Sequence, residues 1–231
     1  MSHYTVAVIH RENQDIGELL APYSENLEVE PYIWKTREEA IEYARKHYNI
    51  ENLSDDDCWK MLAEDRKTDD NGNIYSVYNP KSKWDWYCIG GRWDGKLKSK
   101  VDKMYYNRLR IGDIDMLNLD EYLEEYANAI EFWEKYIDGM DEDDEEYNLF
   151  FKQSYYKNRY HDKYTYADVE TSFSTYSVVT PDGEWHSPGE MGWFGCSSES
   201  DDDYIDWVMR YKERFIDGNE DLYMTIVDCH I

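Results

Sequence analysis

The stretches YTVAVI (residues 4–9) and LYMTIV (residues 222–227) decide the fold of this 231-residue chain. Both are nearly continuous runs of apolar side chains, a pattern that is typical of short strands buried on both faces. They lie close to opposite ends of the sequence, so a sheet that contains both brings the ends together. The pattern therefore predicts an α+β fold with a mostly antiparallel central sheet, which contains both terminal strands and has helices packed against it.

Apolar residues recur at helical spacing in much of the chain between these strands. Thr36 and Glu39 have the spacing of a capping box, and Ser54 is placed to cap a shorter helix. The clearest helix is predicted over residues 119–138, where apolar side chains recur on one face. The other predicted elements are an extended segment over 27–34, a turn at 69–73, helices over 147–160 and 204–216, a strand over 173–180 and a turn at 181–183 that begins a hairpin.

The sequence contains no internal repeat and no Pro- or Ser-rich linker. We therefore expect a single domain over residues 1–231, with the acidic stretch 138–146 as the best candidate for a weak boundary. Hydrophobic residues make up 41% and aromatic residues 16% of the chain. Since disorder combines high charge with few aromatic residues, this composition indicates a folded core in spite of the charge.

Three features favour a cytoplasmic protein. No stretch approaches the roughly 20 apolar residues that span a bilayer, and the first residues lack the pattern of a signal peptide. The four cysteines are scattered without a CxxC pair, as expected of free thiols in a reducing compartment. We expect no membrane partner.

The net charge is the first property that bears on partners. The chain has 51 acidic and 25 basic residues, which give −26 at pH 7. Such a surface repels nucleic acids and anionic membranes, so no direct nucleic-acid binding is expected. It attracts basic proteins and can imitate a phosphate backbone, although solubility alone also accounts for it.

Residues 81–110 form a cationic island in this acidic chain. They include nine basic and three acidic residues, a net charge of +6, so the rest of the chain carries −32. Glycine pairs let a backbone approach a ligand, arginine holds phosphate or carboxylate, and tryptophan stacks on a base. The island therefore predicts a site for an anionic, nucleotide-like ligand, with Trp84 and Trp86 on one face of a strand and Asp85 and Tyr87 on the other. The predicted ligand-binding residues are Lys83, Trp84, Trp86, Gly90, Gly91, Arg92, Trp93 and, from a second glycine-containing loop, Trp193.

The same residues also allow an interpretation in which the island serves the fold and binds no ligand. In it, the glycines form an ordinary hairpin turn, the tryptophans belong to the core and the lysines pair with surface acids.

Two further groups are candidates for chemistry. His186 precedes a loop, residues 187–193, that contains two glycines and Glu190, and Asp228 and His230 project to the same face of the last strand. If the terminal strands are neighbours, His10 could converge with Asp228 and His230 as metal ligands or as base and orienting group. The sequence has no Walker A, GxSxG, GxGxxG, HExxH or zinc-finger pattern, and no cofactor is expected.

Four blocks carry a resemblance to a known family. LAPYSEN (residues 20–26), NPKSKWDWYCIGGRW (79–93), GEMGW (189–193) and VDCHI (227–231) resemble blocks of a family of uncharacterised phage and prophage proteins. The family has no assigned activity. The resemblance implies a bacterial host cytoplasm as the setting and an accessory role, such as countering host defence.

Three functions compete on these grounds. The first is binding and sequestration of a nucleotide-type signal, without catalysis. The second is an acidic mimic of nucleic acid that inhibits a basic host protein. The third is a metal-dependent hydrolase or nucleotide-modifying enzyme that uses His186, Glu190, Asp228 or His230.

Overall fold

The computed structural model describes residues 2–48, 53–116, 119–144, 147–192 and 196–231. The strands are β1 (His3–His10), β2 (Tyr32–Lys35), β3 (Ile74–Ser76), β4 (Trp86–Ile89), β5 (Leu97–Lys98), β6 (Tyr105–Tyr106), β7 (Arg108–Arg110), β8 (Ser177–Val179), β9 (Trp185–His186) and β10 (Tyr223–His230). The helices are α1 (Ile16–Leu20), α2 (Arg37–Tyr48), α3 (Asp55–Ala63), α4 (Leu119–Phe132), α5 (Gln153–Tyr160), α6 (Lys163–Thr171) and α7 (Asp201–Tyr211). Helices α4 and α7 each continue into a π-helical turn, Trp133–Asp138 and Lys212–Ile216.

Contacts group the chain into two compact units. The large unit consists of Met1–Ala21 with Trp84–Ile231, and the small unit is Pro22–Lys83. The divisions do not lie in the stretch 138–146, of which residues 145 and 146 are outside the described part. That the two units form one folding domain stays a prediction.

The central sheet of the large unit confirms the predicted fold class. Its strand order is β4-β10-β1-β8-β9, with β7 also paired to β10. β1 runs antiparallel to β10 along its whole length, from His3 opposite His230 to His10 opposite Tyr223. Only the pairing of β1 with β8 is parallel among the described strand pairs of this sheet. Both termini therefore lie on neighbouring central strands, as the two apolar runs predict.

The sheet is covered on both faces. On its helical face, Ala7 and Ile9 pack with Ile226 against a cluster that includes Trp133 and Tyr211. On the second face, apolar side chains of β1 and β10 pack against α1. Every residue of β1 from Tyr4 and of β10 from Met224 onward is buried, which explains why neither sequence alternates between apolar and polar side chains.

The ends of the helices follow their capping residues. Thr36 and Glu39 form the predicted capping interaction, in which the Thr36 N–H donates to Glu39 Oε2 at 2.8 Å and the Glu39 N–H donates to Thr36 Oγ1 at 3.3 Å. Ser54 Oγ accepts from the Asp57 N–H, as expected. α7 begins earlier than residue 204 because Ser200 and Asp203 form a complete capping box.

Two predicted elements are shorter in the structure. The helix predicted over residues 147–160 begins only at Gln153, and the strand predicted over 173–180 is confined to β8. Trp207 holds the chain before β8 in the core, since its Nε1–H donates to the Thr175 carbonyl at 2.8 Å. Residues 173–176 therefore serve as a packed connection and not as strand.

The small unit has its own core of Ala40, Ala44, Cys58, Leu62 and Ile74. Within it, β2 pairs antiparallel with β3, and the predicted turn at 69–73 is present, with Gly72 at a φ of +79°.

In the described part of the chain, no helix combines the length and the apolar character needed to cross a membrane.

His10 provides a test of the β1–β10 pairing. It is 2% exposed, its Nδ1–H donates to the Arg11 carbonyl, and its Nε2 accepts from Thr225 Oγ1 at 2.9 Å. Burial lowers the pKa of His10 below 6.5, so the unfolded chain binds this proton more readily than the folded one. The stability from neutral His10 is full above about pH 6.5 and is lost as the pH falls through the lower pKa of the folded state.

We therefore expect His10→Gln to lose less unfolding free energy than the wild type between pH 7.5 and pH 5.0, as measured by urea titration. His161→Gln, which alters an exposed histidine, serves as the control and should follow the wild type. Equal pH dependence in all three proteins would contradict the assignment.

Candidate functional site

Two rows of side chains meet at one end of the central sheet, on its helical face. In the first row, Cys88 of β4 and Thr5 of β1 lie opposite Asp228 of β10. In the second row, Trp86 and His3 lie on either side of His230. Side chains directly opposite on neighbouring strands share a face, so the register alone brings these six residues together. His3, Asp85, Trp86, Asp228 and His230 are called the His–Asp cluster below.

Asp228 is a buried carboxylate at the centre of the cluster, with 2% of its surface exposed. Its Oδ1 accepts from His3 Nδ1–H at 2.8 Å, and its Oδ2 accepts from the backbone N–H of Arg92 at 3.0 Å. A buried charge is costly unless it is paired and hydrogen-bonded, and these two donors meet that requirement. Because an ionised carboxylate only accepts, the hydrogen bond places the His3 proton on Nδ1.

His230 forms a second imidazole–carboxylate pair. Its Nδ1–H donates to Asp85 Oδ1 at 2.7 Å, and its ring stacks on Trp86 with centroids 5.1 Å apart and planes inclined by 18°. The edge of His3 contacts both rings, at centroid distances of 4.9 Å to His230 and 5.4 Å to Trp86. One face of Trp86 is thus held against the protein, while 44% of the residue remains exposed.

The Gly90–Gly91 turn closes over Asp228. Both glycines have positive φ, +74° and +56°, which L side chains rarely adopt. A Cβ at Gly91 would lie 2.5 Å from Asp228 Cβ and Oδ2 and 2.8 Å from Cys88 Sγ. The next amide, that of Arg92, donates to Asp228, and the amide of Trp93 donates to the Gly90 carbonyl. The turn therefore binds a carboxylate of the protein itself, and these two amides are not free for a ligand.

The predicted arrangement of the tryptophans is wrong in part. Trp84 and Trp86 do not share a face, because β4 begins only at Trp86. Trp84 packs on the second face with Tyr87, at a centroid distance of 5.0 Å, and its Nε1–H donates to the Leu20 carbonyl. Asp85 turns towards His230 on the helical face, and Trp93 packs against the core of that face. Of these three tryptophans, Trp86 alone is exposed.

Three basic residues of the island form ion pairs with acids, and a fourth is half-buried. Lys98 pairs with Glu121, Lys103 with Asp115 and Arg110 with Asp221, as the structural interpretation expects. Lys96 is half-buried with its Nζ 5.2 Å from the Phe173 ring centroid, and burial lowers its pKa.

Arg92 differs from these four residues. Its side chain is exposed, and no carboxylate among the described residues forms an ion pair with its guanidinium. Lys83 lies in the small unit, where its N–H donates to the Tyr23 carbonyl. Trp193 lies outside the described residues.

The convergence predicted for His10 is also wrong. The antiparallel register places His10 opposite Tyr223, at the far end of β10 from Asp228 and His230. His3 lies beside Asp228 and His230, in the position that was expected for His10, and the sequence analysis did not predict this. The available signal was the order of the chain, since an antiparallel pair of terminal strands puts the first residues opposite the last ones.

His186 and Glu190 are not brought to the cluster. His186 lies on β9, which β1 and β8 separate from β10, and its ring contacts Phe215 at a centroid distance of 5.5 Å. Glu190 is exposed, and its backbone N–H donates to Ser198 Oγ at 2.9 Å. Nowhere in the described ranges are three or more His, Cys, Asp or Glu side chains placed to hold a metal ion.

No protein-family model matches the chain, and comparisons with curated proteins and with solved structures find no match. The resemblance to phage and prophage proteins therefore stays a prediction, and the chemistry of the site has to be argued from its geometry. That geometry offers an aromatic face at Trp86, an exposed cation at Arg92 and an oriented imidazole at His3.

The close contact between Gly91 and Asp228 gives a test of the site's architecture. Gly91→Ala adds a Cβ that overlaps Asp228 and Cys88 and also strains the backbone, so we expect a loss of about 3 kcal/mol or more in unfolding free energy. Gly218→Ala is the matched control, because Gly218 has a φ of +82° but no atom within 4 Å of the added Cβ. That variant should lose about 1 kcal/mol, from backbone strain alone. Equal losses in urea denaturation would show that the turn does not press against Asp228.

Proposed function

We propose that this protein binds a small anionic ligand of the nucleotide class at the His–Asp cluster, with Trp86 and Arg92 as the main contacts. The observation that carries the proposal is the exposed face of Trp86, fixed by stacking on His230, beside a turn whose arginine side chain is exposed. An aromatic platform that is already rigid loses little conformational freedom when a ligand stacks on it.

The chemistry of a nucleotide suits both parts of this surface. Stacking of a base on an aromatic side chain contributes about 1–3 kcal/mol. The guanidinium of Arg92 offers a planar fork of donors to phosphate oxygens. Because the chain carries −26, a long polyanion is repelled over many of its phosphates, whereas a mononucleotide or a short oligonucleotide presents few charges.

The resemblance to phage and prophage proteins supports a biological role for such binding. In a bacterial host, a phage accessory protein that holds a nucleotide signal would lower the free concentration of that signal. We propose sequestration of a host defence signal in the cytoplasm as the role of the protein.

Calorimetry tests the binding directly. We expect the purified protein to release or absorb heat with at least one member of a panel of mono-, di-, tri- and cyclic nucleotides. Arg92→Ala should weaken that binding by about 1.5–3 kcal/mol, the cost of a lost charge-assisted hydrogen bond, and Trp86→Ala by about 1–3 kcal/mol.

Two matched variants control for charge and for aromatic surface. Arg11→Ala removes an exposed arginine after the far end of β1, and Tyr105→Ala removes a side chain that is 62% exposed in the β5–β6 hairpin. Both should bind as the wild type does. If no nucleotide in the panel gives a signal, or if the control variants lose as much affinity, the proposed site is wrong.

An acidic mimic of nucleic acid is the second candidate, and the net charge of −26 favours it. The described acids of residues 141–144 are mostly exposed, which suits this role. The acids at the start of α7 suit it less, because Asp203 caps the helix and Asp201 and Asp202 pair with Arg159 and His161.

Capture from a bacterial lysate distinguishes the mimic from the nucleotide binder. A mimic should retain a basic protein at low ionic strength and release it as salt is raised, because exposed charges are screened. Asparagine at Asp141, Asp143 and Asp144 should weaken this capture and leave nucleotide binding unchanged. Recovery of no basic protein at low salt would contradict the mimic.

A further inference from the structure

We propose that His3 is a general base that cleaves a 3′,5′-linked ribonucleotide phosphodiester bound at the His–Asp cluster, using the 2′-hydroxyl of the substrate as the nucleophile. The inference rests on the proposed nucleotide site, and it adds catalysis to binding.

The protonation of His3 is set by its partner. The carboxylate of Asp228 accepts from Nδ1–H at 2.8 Å, so neutral His3 carries its lone pair on Nε2. Nε2 lies on the opposite side of the ring from Nδ1 and therefore faces away from Asp228. No hydrogen bond from a described residue reaches this atom. An imidazole that a carboxylate orients and whose second nitrogen is unoccupied has the arrangement of a general base.

His3 and His230 differ in their access to a ligand. The side chain of His3 is 14% exposed, whereas that of His230 is 6% exposed and lies beneath Trp86. His230 is therefore a positioning residue, which with Asp85 fixes the Trp86 ring. A base that stacks on the open face of Trp86 brings its ribose within reach of His3, whose ring lies 5.4 Å from that of Trp86.

The reaction follows from these positions and requires no oxidant or reductant. His3 Nε2 takes the proton of the 2′-hydroxyl as the 2′-oxygen bonds to phosphorus and the bond from phosphorus to the 5′-oxygen breaks. The leaving 5′-oxygen takes a proton from a water molecule, and the imidazolium of His3 returns its proton to the hydroxide that remains. The products are a 2′,3′-cyclic phosphate and a 5′-hydroxyl, and a cyclic substrate opens without a change in mass.

The net charge of the protein restricts the substrate class. At −26, the chain disfavours a long RNA, whereas a substrate of two or three nucleotides presents few charges. Short linear and cyclic 3′,5′-linked ribonucleotides are therefore the expected substrates.

The test incubates the full chain with 3′,5′-linked ribodinucleoside monophosphates and cyclic diribonucleotides, and with their 2′-deoxy counterparts. Mass spectrometry and chromatography should detect 2′,3′-cyclic phosphate ends from the ribo probes and no reaction of the deoxy probes. His3→Gln should lower kcat about 100-fold or more, as expected for loss of a general base. His161→Gln, an exposed histidine paired with Asp202, is the matched control and should keep full activity.

The outcomes separate this inference from the proposed function. Binding of the deoxy probes without turnover of any ribo probe overturns the catalytic role and leaves the binding site intact. Neither binding nor turnover overturns both. Turnover that survives in His3→Gln, or that His161→Gln loses equally, also overturns the assignment of His3. A circular dichroism melt of each variant shows whether a loss reflects unfolding.

Discussion

The pairing of β1 with β10 is the constraint on which the rest of the large unit depends. The two strands hold the centre of the sheet, and both are buried over nearly their whole length. Their register also assembles the candidate site, since it puts His3 opposite His230 and Thr5 opposite Asp228. A slip by one residue would turn every side chain of one strand to the other face. Apolar burial therefore fixes the position of the polar cluster, because Ala7 and Ile9 can reach the helical core in only one register.

A second constraint acts at the end of the sheet, where a carboxylate is buried. Asp228 is as deeply buried as the apolar residues beside it, yet it carries a carboxylate that has to be satisfied. The chain provides a side-chain donor from β1 and a backbone donor from the turn after β4. The turn comes close enough only because residue 91 is glycine, so the glycine pair and the carboxylate form one unit. The same hydrogen bonds that satisfy the charge also orient His3, which links stability to the chemistry of the site.

Local sequence signals predicted most of the architecture. Continuous apolar runs identified β1 and β10, and cap spacing identified the start of α2, because both depend on residues that are close in sequence. The candidate site depended on contacts between residues that are 136 to 225 positions apart in the sequence, and there the predictions were partly wrong. Alternation assigned Trp84 and Trp86 to one face on the assumption that the strand included both, and no local signal marks its start at Trp86. The glycine turn was predicted to bind an external ligand, because the sequence does not reveal that the Arg92 amide donates to Asp228.

A protein with a charge of −26 can still select an anion if short-range contacts outweigh long-range repulsion. At physiological ionic strength the Debye length is about 8 Å, so acids on distant parts of the surface act weakly at Trp86 and Arg92. Within the cluster, both carboxylates are already engaged with imidazoles, and three of the nine bases of the island, Lys98, Lys103 and Arg110, are paired with acids. Arg92 is an exposed cation on the turn that closes over Asp228. Long-range electrostatic repulsion therefore disfavours polyanions more than small ligands, while stacking and a single guanidinium provide the attraction at contact.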